Sequence, residues 1–83
     1  MRRPISHKPN LKAIGDRVRQ LRGEVLQDDL AAELGISQGQ LSKIERGRVA
    51  PTLDVLLGLA DRFKTSIDWI ARGEHFSAKS NYS

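Results

Sequence analysis

Apolar residues recur at three- and four-residue intervals along most of this chain, and no segment shows the one-by-one alternation of a half-buried strand. Leu11, Ile14, Val18 and Leu21 mark a first helix, which Asn10 can cap and Gly23 can end. Leu30, Ala31 and Leu34 share one face of a second helix that runs from Leu26 to Leu34, and Gly35 breaks the pattern. Ser37-Gln38-Gly39-Gln40 has the form of a capping box and opens a third helix, with Leu41 and Ile44 inward and Gly47 at its end. Thr52 caps a fourth helix, with Asp54 in its first turn and an expected inner face of Leu53, Leu56, Leu57, Ala60 and Phe63. Ser66 caps a short fifth helix carrying Ile67, Trp69 and Ile70, closed by Gly73. The pattern predicts an all-α fold of five helices around one core over residues 11–73. A flexible basic arm (residues 1–10) precedes it and a polar tail (residues 74–83) follows.

Composition narrows the function. Eighty-three residues suffice for one domain, because domains hold roughly 100–200 residues. Aromatics are 5%, so the core is aliphatic. The absence of cysteine excludes a disulfide scaffold and thiolate zinc sites. His7 and His75 lie near opposite ends, which argues against a histidine metal site or catalytic pair. With no glycine-rich phosphate loop and no separate substrate domain, the expectation is a protein that is not an enzyme. It should need no metal, cofactor or small-molecule ligand. No apolar run approaches the roughly 20 residues of a membrane span, and the basic start MRRPISHKPN lacks a signal-peptide core. A soluble cytoplasmic protein is expected.

Net charge is +4, and its distribution says more than its size. Residues 1–23 hold seven cations against Asp16 alone. Residues 24–34 hold only acids, namely Glu24, Asp28, Asp29 and Glu33. Residues 35–48 are again basic, with Lys43, Arg46 and Arg48 against Glu45. Basic patches of this kind suit a polyanion, since each neutralised phosphate releases condensed counterions.

The segment 27–46, QDDLAAELGISQGQLSKIER, is the most informative. Two helices crossing through a tight turn need a small residue at the contact, and Ala31 supplies it. They need a left-handed residue in the turn, and Gly35 supplies that. Leu30, Leu34, Ile36, Leu41 and Ile44 can hold the second helix to a core. Its outward positions, Gln38, Gln40, Ser42 and Lys43, are polar and able to reach base edges.

From about Ile14 to Glu74 the chain resembles the Cro/C1-type (XRE) helix-turn-helix regulators. The resemblance is carried by Gln27, LAAELGISQGQLSKIERG, Pro51 and the SIDWIARGE ending. It implies a five-helix lambda-repressor-like domain whose third helix lies in the major groove. Gln38 would then be the leading base reader, since glutamine can bond bidentately to adenine. Gly39, Gln40, Ser42 and Lys43 would complete the reading surface. Gln27, Arg46, Arg48 and the backbone around Gly47 would hold phosphates, and Glu45 would pair with Arg22 for structure. The chain departs from the family pattern in its short 22–26 connection, in Leu26 where a hydroxyl cap is usual, and in Gly39 where a reading side chain is common.

The expected function is sequence-specific binding of double-stranded DNA by a transcriptional regulator, a repressor acting as a homodimer on a palindromic operator. Val55, Leu59, Trp69, Ile70 and Phe76 are the expected dimer patch, and the basic arm is expected to follow the backbone or enter a minor groove. Two alternatives use the same fold: an antitoxin that regulates its own operon, and a protein-interaction adaptor.

Overall fold

Four of the five helices begin at a side-chain cap, as expected from the sequence. In this computed structural model, which describes residues 8–73, the helices are α1 (Leu11–Arg22), α2 (Gln27–Leu34), α3 (Gln38–Glu45), α4 (Leu53–Phe63) and α5 (Ile67–Arg72). Asn10, Ser37, Thr52 and Ser66 each accept a hydrogen bond from the backbone N–H three residues on. At α3 the Gln40 side chain also accepts from the Ser37 N–H, completing the capping box. Only α2 starts without a side-chain cap, at Leu26. Asp28 and Asp29 in its first turn face the positive end of the helix dipole instead. Residues 1–7 of the arm, the tail 74–83 and with it Phe76 lie outside the described residues.

The core is aliphatic and draws on every helix. Ile14 and Val18 of α1, Leu30 and Ala31 of α2, Leu41 and Ile44 of α3, Val55 and Leu59 of α4, and Ile70 of α5 are all buried. Burying such side chains contributes about 1.5–3 kcal/mol each, which is how helices this short are held. α3 packs against both α1 and α2. Gly35 joins α2 to α3 in the left-handed conformation, φ 74°, with open space around it, so the turn needs glycine for its backbone and not for room.

Gly15 has the opposite reason. A Cβ there would stand 2.5 Å from the carbonyl oxygens of both Ile44 and Glu45, so α1 and α3 meet backbone to backbone at the end of α3. The last helix is fastened to the first. Arg17 donates to the carbonyls of Ile70 (2.7 Å) and Ala71 (3.1 Å), two orphan acceptors at the end of α5.

Two expectations fail on α4. Its inner face is Val55 and Leu59, with Leu56, Ala60 and Phe63 half-buried, while Leu53 and Leu57 are 64% and 49% exposed. Leu53 and Leu57 lie two residues before the buried pair, about 200° round a helix of 3.6 residues per turn. The expected dimer patch also loses three of its five residues, two on α4 and one on α5. Val55, Leu59 and Ile70 are 2%, 0% and 0% exposed within the single chain, so they form its core and have no surface to offer a partner. Trp69 is half-buried against that core.

Candidate nucleic-acid interface

α3 has a sharply divided surface. Leu41, Ile44 and Glu45 face inward and are buried, whereas Gln38, Gly39, Gln40 and Lys43 are exposed and Ser42 is half-buried. The capping box fixes the first turn, Gly15 fixes the last, and the outward row between them is polar.

Behind this row runs a chain of polar contacts that begins in the interior. The Glu45 side chain is fully buried and is gripped by Arg22 through two hydrogen bonds, 2.6 and 2.9 Å, the bidentate geometry expected of a strong guanidinium–carboxylate pair. Arg19 lies 3.8 Å away on the same carboxylate. Arg22 also donates to the Val25 carbonyl at 2.8 Å, which ties the short connection before α2 to the pair. Burial alone would push the Glu45 carboxyl up. Hydrogen bonds from Arg22 and Gln27, with the charges of Arg22 and Arg19, outweigh that and hold it below the usual range for glutamate. The same pairing raises Arg22 above its ordinary value. The pair therefore stays ionised in neutral solution.

Gln27 extends the chain outward. Its Nε2 donates to Glu45 at 2.9 Å, and its Oε1 accepts from Gln38 Nε2 at 2.6 Å. The fixed carboxylate orients the Gln27 amide, and that amide in turn orients Gln38 at the surface. Gln38 keeps its Oε1 and one N–H for a ligand, the acceptor–donor pair that matches adenine N6 and N7. Gln40 is more committed, because its Oε1 is used by the capping box.

The cations sort themselves by partner. Lys12 is paired with Asp16, Arg62 with Glu33, and Arg22 with Glu45. Among the described residues Lys8, Arg17, Lys43, Arg46, Arg48 and Lys64 have no acid partner, and three of these, Lys43, Arg46 and Arg48, cluster in the last turn of α3 and the residues just after it. Arg46 makes only a long bond to the Ser42 carbonyl, 3.4 Å, and Arg48 is exposed. The N–H groups of Gly47 and Arg48 donate to the carbonyls of Ile44 and Lys43, closing the helix. Gly47 is needed for its φ of 75° and because a Cβ would stand 2.8 Å from Lys12 Cα.

Gly15 and Arg17 were not among the expected structural residues. Gly15 carried a signal: an isolated glycine inside a helical pattern, four residues after Leu11 and three before Val18, marks a close approach. Arg17 carried none, since its partners are 53 and 54 residues away.

Two helices set through a glycine turn, with the second presenting an ordered polar row flanked by unpaired cations, define a helix-turn-helix domain. The match to the helix-turn-helix (HTH_3) family over residues 18–70 covers more than half of the chain, which belongs to this family of Cro/C1-type regulators. Solved structures agree. The P22 c2 repressor bound to a synthetic operator is 28% identical with a TM-score of 0.69, the alignment covering 74% of this chain and 96% of that one. The restriction-modification controller protein C.AhdI from Aeromonas hydrophila is 27% identical, TM-score 0.64, over 72% of this chain and 94% of its own. The N-terminal DNA binding domain of SinR from Bacillus subtilis is 26% identical, TM-score 0.64, over 71% and 90%. No curated protein sequence matches significantly. No helix among the described residues is long and apolar enough to cross a membrane.

Proposed function

We propose that this chain is a sequence-specific double-stranded DNA-binding regulator of transcription, a cytoplasmic repressor that inserts α3 into the major groove. The observation that carries the proposal is the ordered row on α3. Gln38 is oriented from the core through Gln27, and the unpaired Lys43, Arg46 and Arg48 stand beside it. Gln38, Gln40, Ser42 and Lys43 read bases, and Arg46 and Arg48 hold phosphates. The operator-bound P22 c2 repressor supports the docking mode.

Selection from random duplexes with the purified protein tests this directly. Gln38→Ala should cost about 1–3 kcal/mol at the selected site and relax preference at one base pair. Arg48→Ala should weaken all sequences alike and lower the salt slope by about one. A wild-type protein that enriches no sequence refutes the proposal.

A repressor of this size reads a palindrome as a homodimer, with reading helices about 34 Å apart. Three of the four exposed large hydrophobics among the described residues, Val49, Leu53 and Leu57, gather between the end of α3 and the middle of α4. Val49 lines a groove together with Gln40 and Lys43 of the reading helix. A two-fold axis through this face sets both reading helices on one side of the dimer. Leu53→Glu should abolish dimers in sedimentation while leaving the helical circular dichroism intact. A variant that stays dimeric moves the interface elsewhere.

A further inference from the structure

The chain between α3 and α4 leaves a groove of about 270 Å³ beside the reading helix. Its depth is apolar: Ile44 and Val55, both buried, line it together with the half-buried Ile36. Val49 lines it too and stays 40% exposed, a large hydrophobic side chain that the single chain leaves uncovered. The polar side chains of the lining are Gln40, Lys43 and Thr52, and what they have left to offer is alike. Lys43 is a donor only and has no acid partner. Gln40 spends its Oε1 on the Ser37 N–H and keeps its Nε2. Thr52 accepts from the Val55 N–H and keeps its own O–H to donate. No acidic side chain among the described residues lines the groove.

We infer that this groove is a binding site for a small apolar monocarboxylate, its hydrocarbon body against Ile36, Ile44, Val49 and Val55 and its carboxylate on Lys43, Gln40 and Thr52. The class follows from the two halves of the lining. Aliphatic walls gain by covering hydrocarbon, so a sugar or a bare phosphate would leave them unmatched. One cation with two neutral donors, and no carboxylate to compete, suits an anionic head that only accepts. The volume lies just under the roughly 300–1,000 Å³ of sites for drug-sized molecules, so the occupant is small. Lys43 and Gln40 also belong to the reading row, so a bound carboxylate takes two contacts from the DNA and acts as an inducer. That consequence rests on the proposed DNA-binding function; the site itself does not.

Octanoate is the probe, with octanol as its uncharged counterpart, each titrated into the nitrogen-15-labelled full chain. Amide shifts in two-dimensional NMR should saturate with a dissociation constant of about 1 mM or below and be confined to residues 36–55. Octanol should bind about tenfold more weakly, for want of the charge-assisted hydrogen bonds. Lys43→Met should bind the two alike, and Lys43→Arg should keep the preference for the acid. Ala50→Leu fills the groove from an exposed position, so it should keep the wild-type fold and bind neither. On the duplex that wild-type protein selects, octanoate at about twice its dissociation constant should weaken wild-type binding about threefold, by mass action, and leave Ala50→Leu at its own affinity. Shifts that do not saturate, that spread beyond the groove, or that persist in Ala50→Leu overturn the site. Saturable binding in the groove with unchanged operator affinity overturns the inducer role. Wild-type protein that binds octanoate but no duplex overturns the DNA-binding function and leaves the site standing.

Discussion

Removing the carboxylate of Glu45 is the most revealing perturbation of this domain. In Glu45→Gln the shape survives, but the new amide presents an N–H to donors that now lack an acceptor. The two Arg22 bonds, 2.6 and 2.9 Å, and the 2.9 Å bond from Gln27 converge on a side chain with no exposure at all. Removing one partner of a buried pair costs about 3–5 kcal/mol. Arg22 itself is 17% exposed and regains some water, so a loss of about 2–4 kcal/mol is expected. Total stability is about 0.05–0.15 kcal/mol per residue, so the variant forfeits a large part of it. Urea denaturation followed by circular dichroism gives the number. A double replacement, Arg22→Met with Glu45→Leu, should recover most of it, because well-packed apolar side chains substitute for buried pairs at little cost. It should nevertheless bind operator less selectively, since Gln27 has lost its anchor and Gln38 its orientation. A loss below about 1 kcal/mol for Glu45→Gln, in the range of an exposed pair, would refute the view that this network is load-sharing and buried.

Acid acts on the same group. The folded-state pKa of Glu45 lies below the unfolded one, so its stabilisation is complete above the unfolded value, about 4.3, and is lost as pH falls through the folded value. Melting temperature should therefore fall more steeply below about pH 4 in wild type than in the Arg22→Met, Glu45→Leu variant. Gly15→Ala should destabilise by about 1–3 kcal/mol or more, because its methyl meets backbone oxygens that cannot turn aside; denaturation at or above the wild-type midpoint would contradict the close helix contact. Ile70→Glu should unfold the chain outright, shown by loss of helical circular dichroism, since Ile70 is fully buried. A folded Ile70→Glu would return Ile70 to the surface and restore the original dimer patch.

The local grammar of this chain was plain in its sequence. Caps at Asn10, Ser37, Thr52 and Ser66 and the left-handed Gly35 are governed by neighbours a few residues away, and each took its expected form. The Arg22–Glu45 pair spans 23 residues and was legible only through family resemblance. α4 was misread because LDVLLGLADRF carries more apolar residues than one face can hold, so periodicity could not choose between Leu53/Leu57 and Val55/Leu59. That choice belongs to tertiary structure, where Gly58 brings α4 against Leu34 of α2. At the candidate site, the residue types on α3 were visible. What they are bonded to was not: the Gln27–Gln38 contact and the internal bonds of the Gly47 and Arg48 N–H groups depend on side-chain and backbone directions that no pattern encodes.

The clasp between Arg17 and the end of α5 makes the domain a closed ring of helices, and that has a consequence for its synthesis. On the ribosome α1 emerges first and α5 last, yet α5 rests on α1 and α4 and supplies Ile70 to the shared interior. Until residues 67–72 clear the exit tunnel, Arg17 has no carbonyls to bind and one side of the core stands open to water. Completion of the fold therefore waits on the emergence of α5. A transcript that stops before α5 yields a polypeptide with an unfinished interior and exposed aliphatic surface, the kind of species that chaperones and proteases remove.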